Sequence, residues 1–119
     1  MKHFHWDQIQ EEYLNPLLSR KVIHGERLTV ARIYLKRYAV IPTHSHEHEQ
    51  ITTVERGSLK FTFDIEERVL KPGDVLDIPP HVAHKVEALE DSVAVDLFSP
   101  VRQDWVRGED AYLRTPQKL

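Results

Sequence analysis

The sequence predicts an all-β fold, a sandwich or small two-sheet barrel that follows a short N-terminal lead-in segment. From Leu28 onward, short runs of β-forming residues alternate with turn-forming residues. The chain has 119 residues, of which 40% are hydrophobic, enough for one compact core and too few for two. We therefore expect a single domain over residues 1–119, with its core at about residues 20–105.

Short segments bounded by polar or turn-forming residues are predicted to be the strands: Leu28–Lys36, Gln50–Glu55, Leu59–Asp64, Arg68–Lys71, Val75–Ile78, His84–Leu89 and Val93–Phe98. The clearest turn is Pro72-Gly73-Asp74, because proline presets φ and glycine accepts a positive φ. Ahead of the strands, Ile9–Leu18 is predicted to form a short helix or turn that stops near Asn15-Pro16 and packs on the main body.

Composition and charge exclude several classes of protein. The net charge is −3 and the basic residues are scattered among acidic ones, so nucleic acid is not an expected partner. Because the chain has no cysteine, any metal must be held by nitrogen and oxygen ligands. The N-terminus lacks the apolar core of a signal peptide, and no apolar run reaches the ~20 residues that span a membrane. We expect a cytoplasmic protein with no membrane partner.

The candidate metal ligands come from a histidine-rich segment and from one later histidine. Side chains two positions apart on a strand point to the same face, so His44 and His46 are predicted to chelate one ion together. Gln50 also lies an even number of positions from His44 and His46, so its side chain is expected on the same face. His84 opens a later strand, and it completes a set of four ligands if that strand lies beside the first.

These residues fall into a known pattern. His44-x-His46-x3-Gln50-x6-Gly57 resembles the first motif of the cupin family, and Gly73-x5-Pro79-x4-His84 resembles the second. The resemblance implies a double-stranded β-helix barrel, or jelly roll, that holds one divalent metal. It also implies which residues are the ligands, namely His44, His46, Gln50 and His84. The sequence departs from the usual motifs at three positions: Tyr38 and His81 replace glycines, and Gln50 replaces the common glutamate.

The amide of Gln50 matters for the charge of such a centre. Three neutral imidazoles and an amide leave the metal with its full positive charge, which suits a Lewis acid that binds an anion. These donors accept nickel, iron, manganese, cobalt, copper or zinc, so the metal stays open. His48 becomes a fifth ligand if the strand stays regular, whereas a bulge would turn it outward. His81 is expected in the second layer around the site or on the surface.

A second informative stretch runs from Val93 to Arg102. Val93, Val95 and Leu97 form one face of a predicted strand, which places Ala94, Asp96 and Phe98 on the other. If that second face lines the barrel, Asp96 becomes a general acid/base beside the metal; the alternative is a salt bridge on a solvated face. Arg102 either grips a substrate carboxylate or pairs at the surface with Asp104 or Glu109.

This tail and the histidine motif together are similar to the KdgF group of cupins, over about Arg20 to Trp105. The resemblance implies a small acidic sugar as substrate: ring opening of 4,5-unsaturated monouronates to linear keto acids, in pectin and alginate breakdown. Asp96, Phe98 and Arg102 match the residues that assist this reaction in that group. Resemblance to cupins in general also implies a homodimer.

Two other functions stay open at this point. Cupin barrels host metal-dependent dioxygenases, and three histidines suit iron. A non-catalytic cupin would instead use the metal and Arg102 only to bind an acidic sugar. The C-terminal segment from Arg107 to Leu119 is polar, and Tyr112 and Leu113 are its candidate anchors on the barrel or on a partner.

Overall fold

The strands pack as two antiparallel sheets with one hydrophobic core, in a computed structural model that describes residues 1–114. The larger sheet has the order β1-β2-β3-β10-β5-β8, and its strands are β1 (Glu12–Asn15), β2 (Leu18–His24), β3 (Thr29–Leu35), β5 (Glu49–Arg56), β8 (Val75–Ile78) and β10 (Ser92–Ser99). The smaller sheet has the order β4-β9-β6-β7, and its strands are β4 (Val40–His44), β6 (Leu59–Thr62), β7 (Glu67–Leu70) and β9 (His84–Ala88). The predicted all-β jelly roll is confirmed.

Alternation of side chains along the strands builds the core. In β3 every second residue is buried, and β6 and β9 alternate in the same way. Successive side chains of a strand point to opposite faces, so each of these strands contributes one apolar face. The core cluster draws on both sheets and includes Ile33, Leu35, Leu59, Phe61, Val86 and Phe98. It also takes in Leu14, Leu18 and Leu113, outside residues 20–105.

Of the short helix or turn predicted over Ile9–Leu18, the helix is wrong, and the turn is confined to Pro16 and Leu17. A short 3-10 helix at Trp6–Gln8 is followed instead by β1 and β2. Pairing across the sheet overrides the local preference, because β2 runs along β3 with Leu18 opposite Leu35. The turn between β1 and β2 is held by the Asn15 side chain, whose Oδ1 accepts a hydrogen bond of 2.9 Å from the Leu17 N–H. The list of predicted strands also omits β4, although the ligand prediction assumes a strand at His44.

The C-terminal segment closes over the barrel. After β10 come two short helices, α1 (Gln103–Val106) and α2 (Ala111–Arg114). Trp105 and Leu113 belong to the core cluster, and the Leu113 carbonyl accepts a hydrogen bond of 3.1 Å from the Asn15 side chain. The anchoring residues in this segment therefore contact the chain's own barrel. Within residues 1–114, no helix has the length and apolar character needed to cross a membrane.

Two glycines with positive φ make a matched pair for testing the fold. Gly57 has φ +86°, and a Cβ added there would lie 2.8 Å from the Ser92 Cα and even closer to the Asp91 carbonyl oxygen. Gly73 has φ +96° and open space around it. We expect Gly73→Ala to lower the free energy of unfolding by about 1–2 kcal/mol, the cost of a left-handed alanine. Gly57→Ala should cost clearly more, since backbone must also move. Urea unfolding measures both, and equal losses would contradict this packing.

Candidate metal centre

Three histidines from two strands and a loop meet at one end of the smaller sheet. His44 ends β4 and lies directly opposite His84, which begins β9. His46 lies in the loop that follows β4, and its carbonyl oxygen accepts a hydrogen bond of 2.8 Å from the backbone N–H of His81. One ligand atom from each of the three imidazoles lies within 4.8 Å of the others. The structure thus brings together the three predicted histidine ligands.

Backbone carbonyls orient all three imidazole rings. The Nδ1 atom of His44 lies 2.8 Å from the Pro42 carbonyl oxygen, that of His84 lies 2.9 Å from Val82 O, and that of His46 lies 3.1 Å from His48 O. A carbonyl oxygen only accepts hydrogen bonds, so each Nδ1 must carry the proton. Each Nε2 therefore presents a lone pair, as a metal ligand must. Backbone partners of this kind commonly fix the tautomer of metal-binding histidines.

A chain of hydrogen bonds fixes the amide of Gln50. The Thr52 hydroxyl donates to Asp96 Oδ1 at 2.7 Å, and its oxygen accepts from Gln50 Nε2 at 2.9 Å. An ionised carboxylate can only accept, so Asp96 sets the direction of both bonds. Gln50 Oε1 consequently faces His46, 3.1 Å from the Nε2 atom. The chain links the predicted fourth ligand to the predicted acid/base.

The contact between His46 and Gln50 shows that these residues fit a bound cation. With Nδ1 protonated, His46 Nε2 is an acceptor that faces another acceptor, Gln50 Oε1, at 3.1 Å. The opposite tautomer would place the acceptor Nδ1 against the His48 carbonyl instead. A cation held by these two residues would relieve the repulsion, and imidazole nitrogen and amide oxygen are both ordinary ligands of divalent transition metals.

Burial keeps the cavity histidines neutral. Burial, and next the charge of His84, lower the pKa of His44 to about 3. Burial and the positive charge of Arg102 lower the pKa of His46 to about 4. Burial also lowers the pKa of His84, although its bond to Val82 opposes this effect. All three rings are therefore available as neutral ligands at neutral pH.

Asp96 lies on the barrel-lining face of β10, beside the buried Ala94 and Phe98. It sits opposite Thr52 in the pairing of β5 with β10, and within residues 1–114 it makes no ion pair of 4.0 Å or less. Burial raises the pKa of Asp96 to about 6, against the opposing effects of the Thr52 hydrogen bond and the charge of Arg102. The sequence left two alternatives for Asp96, a face that lines the barrel and a solvated face. The structure places Asp96 on the face that lines the cavity.

Arg102 is also in the cavity wall and is only 1% exposed. Its Nε and Nη2 atoms donate to the two carboxylate oxygens of Asp104 at 3.0 and 2.8 Å, and Nη2 also donates to the Tyr112 hydroxyl. The guanidinium stacks on Phe98, with Cζ 4.6 Å from the ring centroid. One alternative from the sequence was that Arg102 pairs at the surface with Asp104 or Glu109. The pair with Asp104 is present, but the guanidinium is buried.

The structure does not place His48 on one regular strand with His44 and His46, as its prediction as a fifth ligand required. Residues 45–48 form a loop and not a regular strand, and His48 is not one of the three histidines whose ligand atoms lie within 4.8 Å of one another. Its Nε2 lies 4.0 Å from Asp104 Oδ1. The side chain of His81 is exposed, and only its backbone supports the site, through His46. His3, His5 and His24 are exposed.

Sequence reasoning did not assign Thr52 or Tyr112 to the cavity. Thr52 links Gln50 to Asp96, but a threonine in a strand carries no signal of such a role. From the sequence, Tyr112 was a candidate anchor only. In the structure, the centroid of its ring lies 4.7 Å from that of His44, and its hydroxyl accepts a hydrogen bond from Arg102. The contact with His44 joins sequence positions almost seventy residues apart, so only the folded chain reveals it.

Comparison with known proteins places these features in a family. A family model described as a cupin domain matches residues 33–99. KdgF from Halomonas sp. is 36% identical, with a TM-score of 0.81 over 87% of this chain and 99% of that chain. An RmlC-like cupin from Shewanella frigidimarina is 29% identical, with a TM-score of 0.81 over 88% of this chain and 96% of that chain.

More distant structures share the fold alone. Oxalate decarboxylase from Bacillus subtilis is 18% identical, with a TM-score of 0.75 over 83% of this chain and 29% of that chain. No curated protein matches the sequence. The family model, the similarity to KdgF and the two-sheet jelly roll all agree with the resemblance found in the motifs. The chain belongs to the cupin family.

Proposed function

We propose that this protein is a metal-dependent cupin enzyme that opens the ring of 4,5-unsaturated monouronates and yields linear keto acids. The observation that carries the proposal is the connection of Asp96, through Thr52 and Gln50, to the three-histidine cluster in one cavity. Similarity to KdgF, at 36% identity over nearly the whole of that chain, supports the same reaction.

The metal would be held by Nε2 of His44, His46 and His84 and by Oε1 of Gln50. A divalent ion there supplies positive charge that stabilises an oxygen anion. All four ligands are neutral, so they leave that charge undiminished. The metal's identity is not decided by these donors.

Asp96 is proposed to carry the proton. The unsaturated uronate is a cyclic hemiacetal whose ring oxygen is also an enol oxygen. Removing the proton from the anomeric hydroxyl breaks the bond between the anomeric carbon and the ring oxygen, and gives an aldehyde and an enolate. Returning that proton to C4 gives the ketone, so atoms balance without an oxidant. A carboxyl group with a pKa of about 6 both accepts and donates protons near neutrality.

Arg102 is proposed to bind the substrate carboxylate, and Phe98 to position that arginine. Nε and Nη2 of Arg102 donate hydrogen bonds to Asp104, and Nη2 also donates to Tyr112. Nη1 has no hydrogen-bond partner among residues 1–114. Phe98 stacks under the guanidinium and is 2% exposed. Its ring also keeps this wall of the cavity apolar, which strengthens charge interactions nearby.

The direct test uses purified, metal-loaded protein and unsaturated galacturonate or mannuronate. Loss of the ultraviolet absorbance of the conjugated enol reports ring opening. We expect a rate far above that of the spontaneous reaction, without oxygen consumption. Oxygen uptake would favour the dioxygenase alternative, and binding without acceleration would favour the binding-only alternative.

Histidine variants test the metal site. We expect His44→Ala and His84→Ala each to reduce bound metal to less than about a tenth of the wild-type content, because a lost ligand costs at least one order of magnitude in affinity. His48→Ala is the matched control: it removes a buried neighbouring histidine outside the cluster and should leave the metal in place. Metal analysis after dialysis measures all three. Full metal content in His44→Ala would exclude this site.

An Asp96 variant separates proton transfer from metal binding. Asp96→Asn keeps the size of the side chain but cannot carry a proton, so we expect kcat to fall by about 100-fold or more while metal content stays unchanged. Asp77→Asn, which alters an exposed carboxylate on β8, serves as the control and should be fully active. Turnover by Asp96→Asn at the wild-type rate would rule out this role.

Acid should destabilise the metal-free protein. Unfolded histidines bind protons below pH 6.5, whereas folded His44 and His46 do so only near pH 3 and 4. Stability is therefore lost as the pH falls below 6.5. The raised pKa of Asp96 acts in the opposite direction below pH 6 but is a single group. The net loss between about pH 7 and pH 5 should be roughly 2 kcal/mol.

Urea unfolding of the metal-free protein at the two pH values measures this loss. His44→Gln removes one of the titrating rings and should make the loss smaller. Equal stability at both pH values in the wild type would show that the cavity histidines are not held neutral by burial.

A further inference from the structure

Two buried donors in the cavity wall take no part in the proposed reaction. Arg20 is 3% exposed and Trp105 is 9% exposed, and both line the same cavity as His44, Gln50 and Asp96. Arg20 Nη1 and Trp105 Nε1 are fully buried, and neither has a hydrogen-bond partner among the described residues.

The contacts of Arg20 explain why Nη1 is left over. Its Nε donates to Glu12 Oε1 at 2.6 Å, and its Nη2 donates to Asp110 Oδ2. These two carboxylates fix the guanidinium against Trp105, with Cζ 4.3 Å from the ring centroid. Arg102 packs on the same indole, also with Cζ at 4.3 Å from its centroid. Both arginines of the cavity wall therefore pack on the ring of Trp105.

The chemistry of the missing partner follows from the donors. A guanidinium stays protonated and an indole N–H only donates, so neither group can act as an acceptor. Buried donors without partners are rare in native proteins because leaving them unsatisfied costs free energy. One donor is charged and one is neutral. This combination suits a ligand oxygen, such as a hydroxyl, carbonyl or carboxylate oxygen.

We infer that Arg20 and Trp105 form a second oxygen-binding subsite of the cavity, separate from the carboxylate position at Arg102. The subsite holds a further oxygen of the ligand and so selects a polyoxygenated small acid over a simple one. The inference rests on the proposed function for the class of ligand, a small acidic sugar. It assigns specificity to a residue of β2 and to one of α1, neither of which the proposed reaction uses.

Calorimetric titration of the zinc-loaded protein with two acids tests the subsite. D-Galacturonate carries a ring, a carboxylate and several hydroxyls, whereas tetrahydropyran-2-carboxylate carries the same ring and carboxylate without hydroxyls. We expect Arg20→Lys and Trp105→Phe each to weaken galacturonate binding by about 3-fold to 10-fold, the value of one hydrogen bond. Binding of tetrahydropyran-2-carboxylate should not change.

The matched control is Arg114→Lys. Arg114 binds Glu12 and Asp110, the same two carboxylates as Arg20, but it does not line the cavity. The control should leave the affinities for both acids as in the wild type. Trp105→Phe removes the N–H while keeping an aromatic ring, so it tests the subsite even if Arg20→Lys disturbs folding.

The outcomes separate the inference from the proposed function. Unchanged galacturonate affinity in both variants, or an equal loss for both acids, would contradict the subsite while leaving the proposed function intact. Equal affinity of the wild type for the two acids would contradict it as well. If the wild type binds neither acid, the proposed function fails, and the inference with it.

Discussion

The pairing of β5 with β10 at the centre of the larger sheet is the constraint on which the cavity depends. Its register places Gln50 opposite Phe98 and Thr52 opposite Asp96. A shift of β5 by one residue against β10 would turn Gln50 and Thr52 to the other face of the sheet, away from Phe98 and Asp96. The register thus creates the hydrogen-bonded path from Asp96 to Gln50. The smaller sheet adds the paired His44 and His84, so each sheet supplies one half of the site.

The two buried arginines among the described residues are each paired with carboxylates. Arg102 is held by Asp104, and Arg20 is held by Glu12 and Asp110. Arginine suits these positions because its planar group binds carboxylates through several donors and stacks on aromatic rings. Asp96 differs, since its only hydrogen-bond partner among the described residues is a hydroxyl. Burial raises the pKa of Asp96, against the opposing effect of that hydrogen bond. This separation of paired arginines from an unpaired acid suits a site that moves protons.

Much of the fold was predictable, because alternating side chains and glycine turns act locally. The N-terminal strands were not, since β1 is stabilised by its pairing with β2, and β2 by its pairing with β3, rather than by the preferences of their own residues. Tyr38 and His81 stand where cupin motifs carry glycine, and both keep a positive φ, +77° and +68°; the backbone thus follows the motif although the residues do not. The sequence placed the histidines near one another, but only the structure shows that Thr52 connects Gln50 to Asp96.

The central claim is that a neutral set of four ligands holds one metal next to Asp96. Anomalous X-ray diffraction from crystals grown with a divalent transition metal tests it most directly. The account predicts a single strong peak in the cavity, within bonding distance of Nε2 of all three histidines and of Oε1 of Gln50, with the Gln50 amide nitrogen on Thr52. A peak elsewhere, or a metal bound by the histidines with Gln50 turned away, would contradict it.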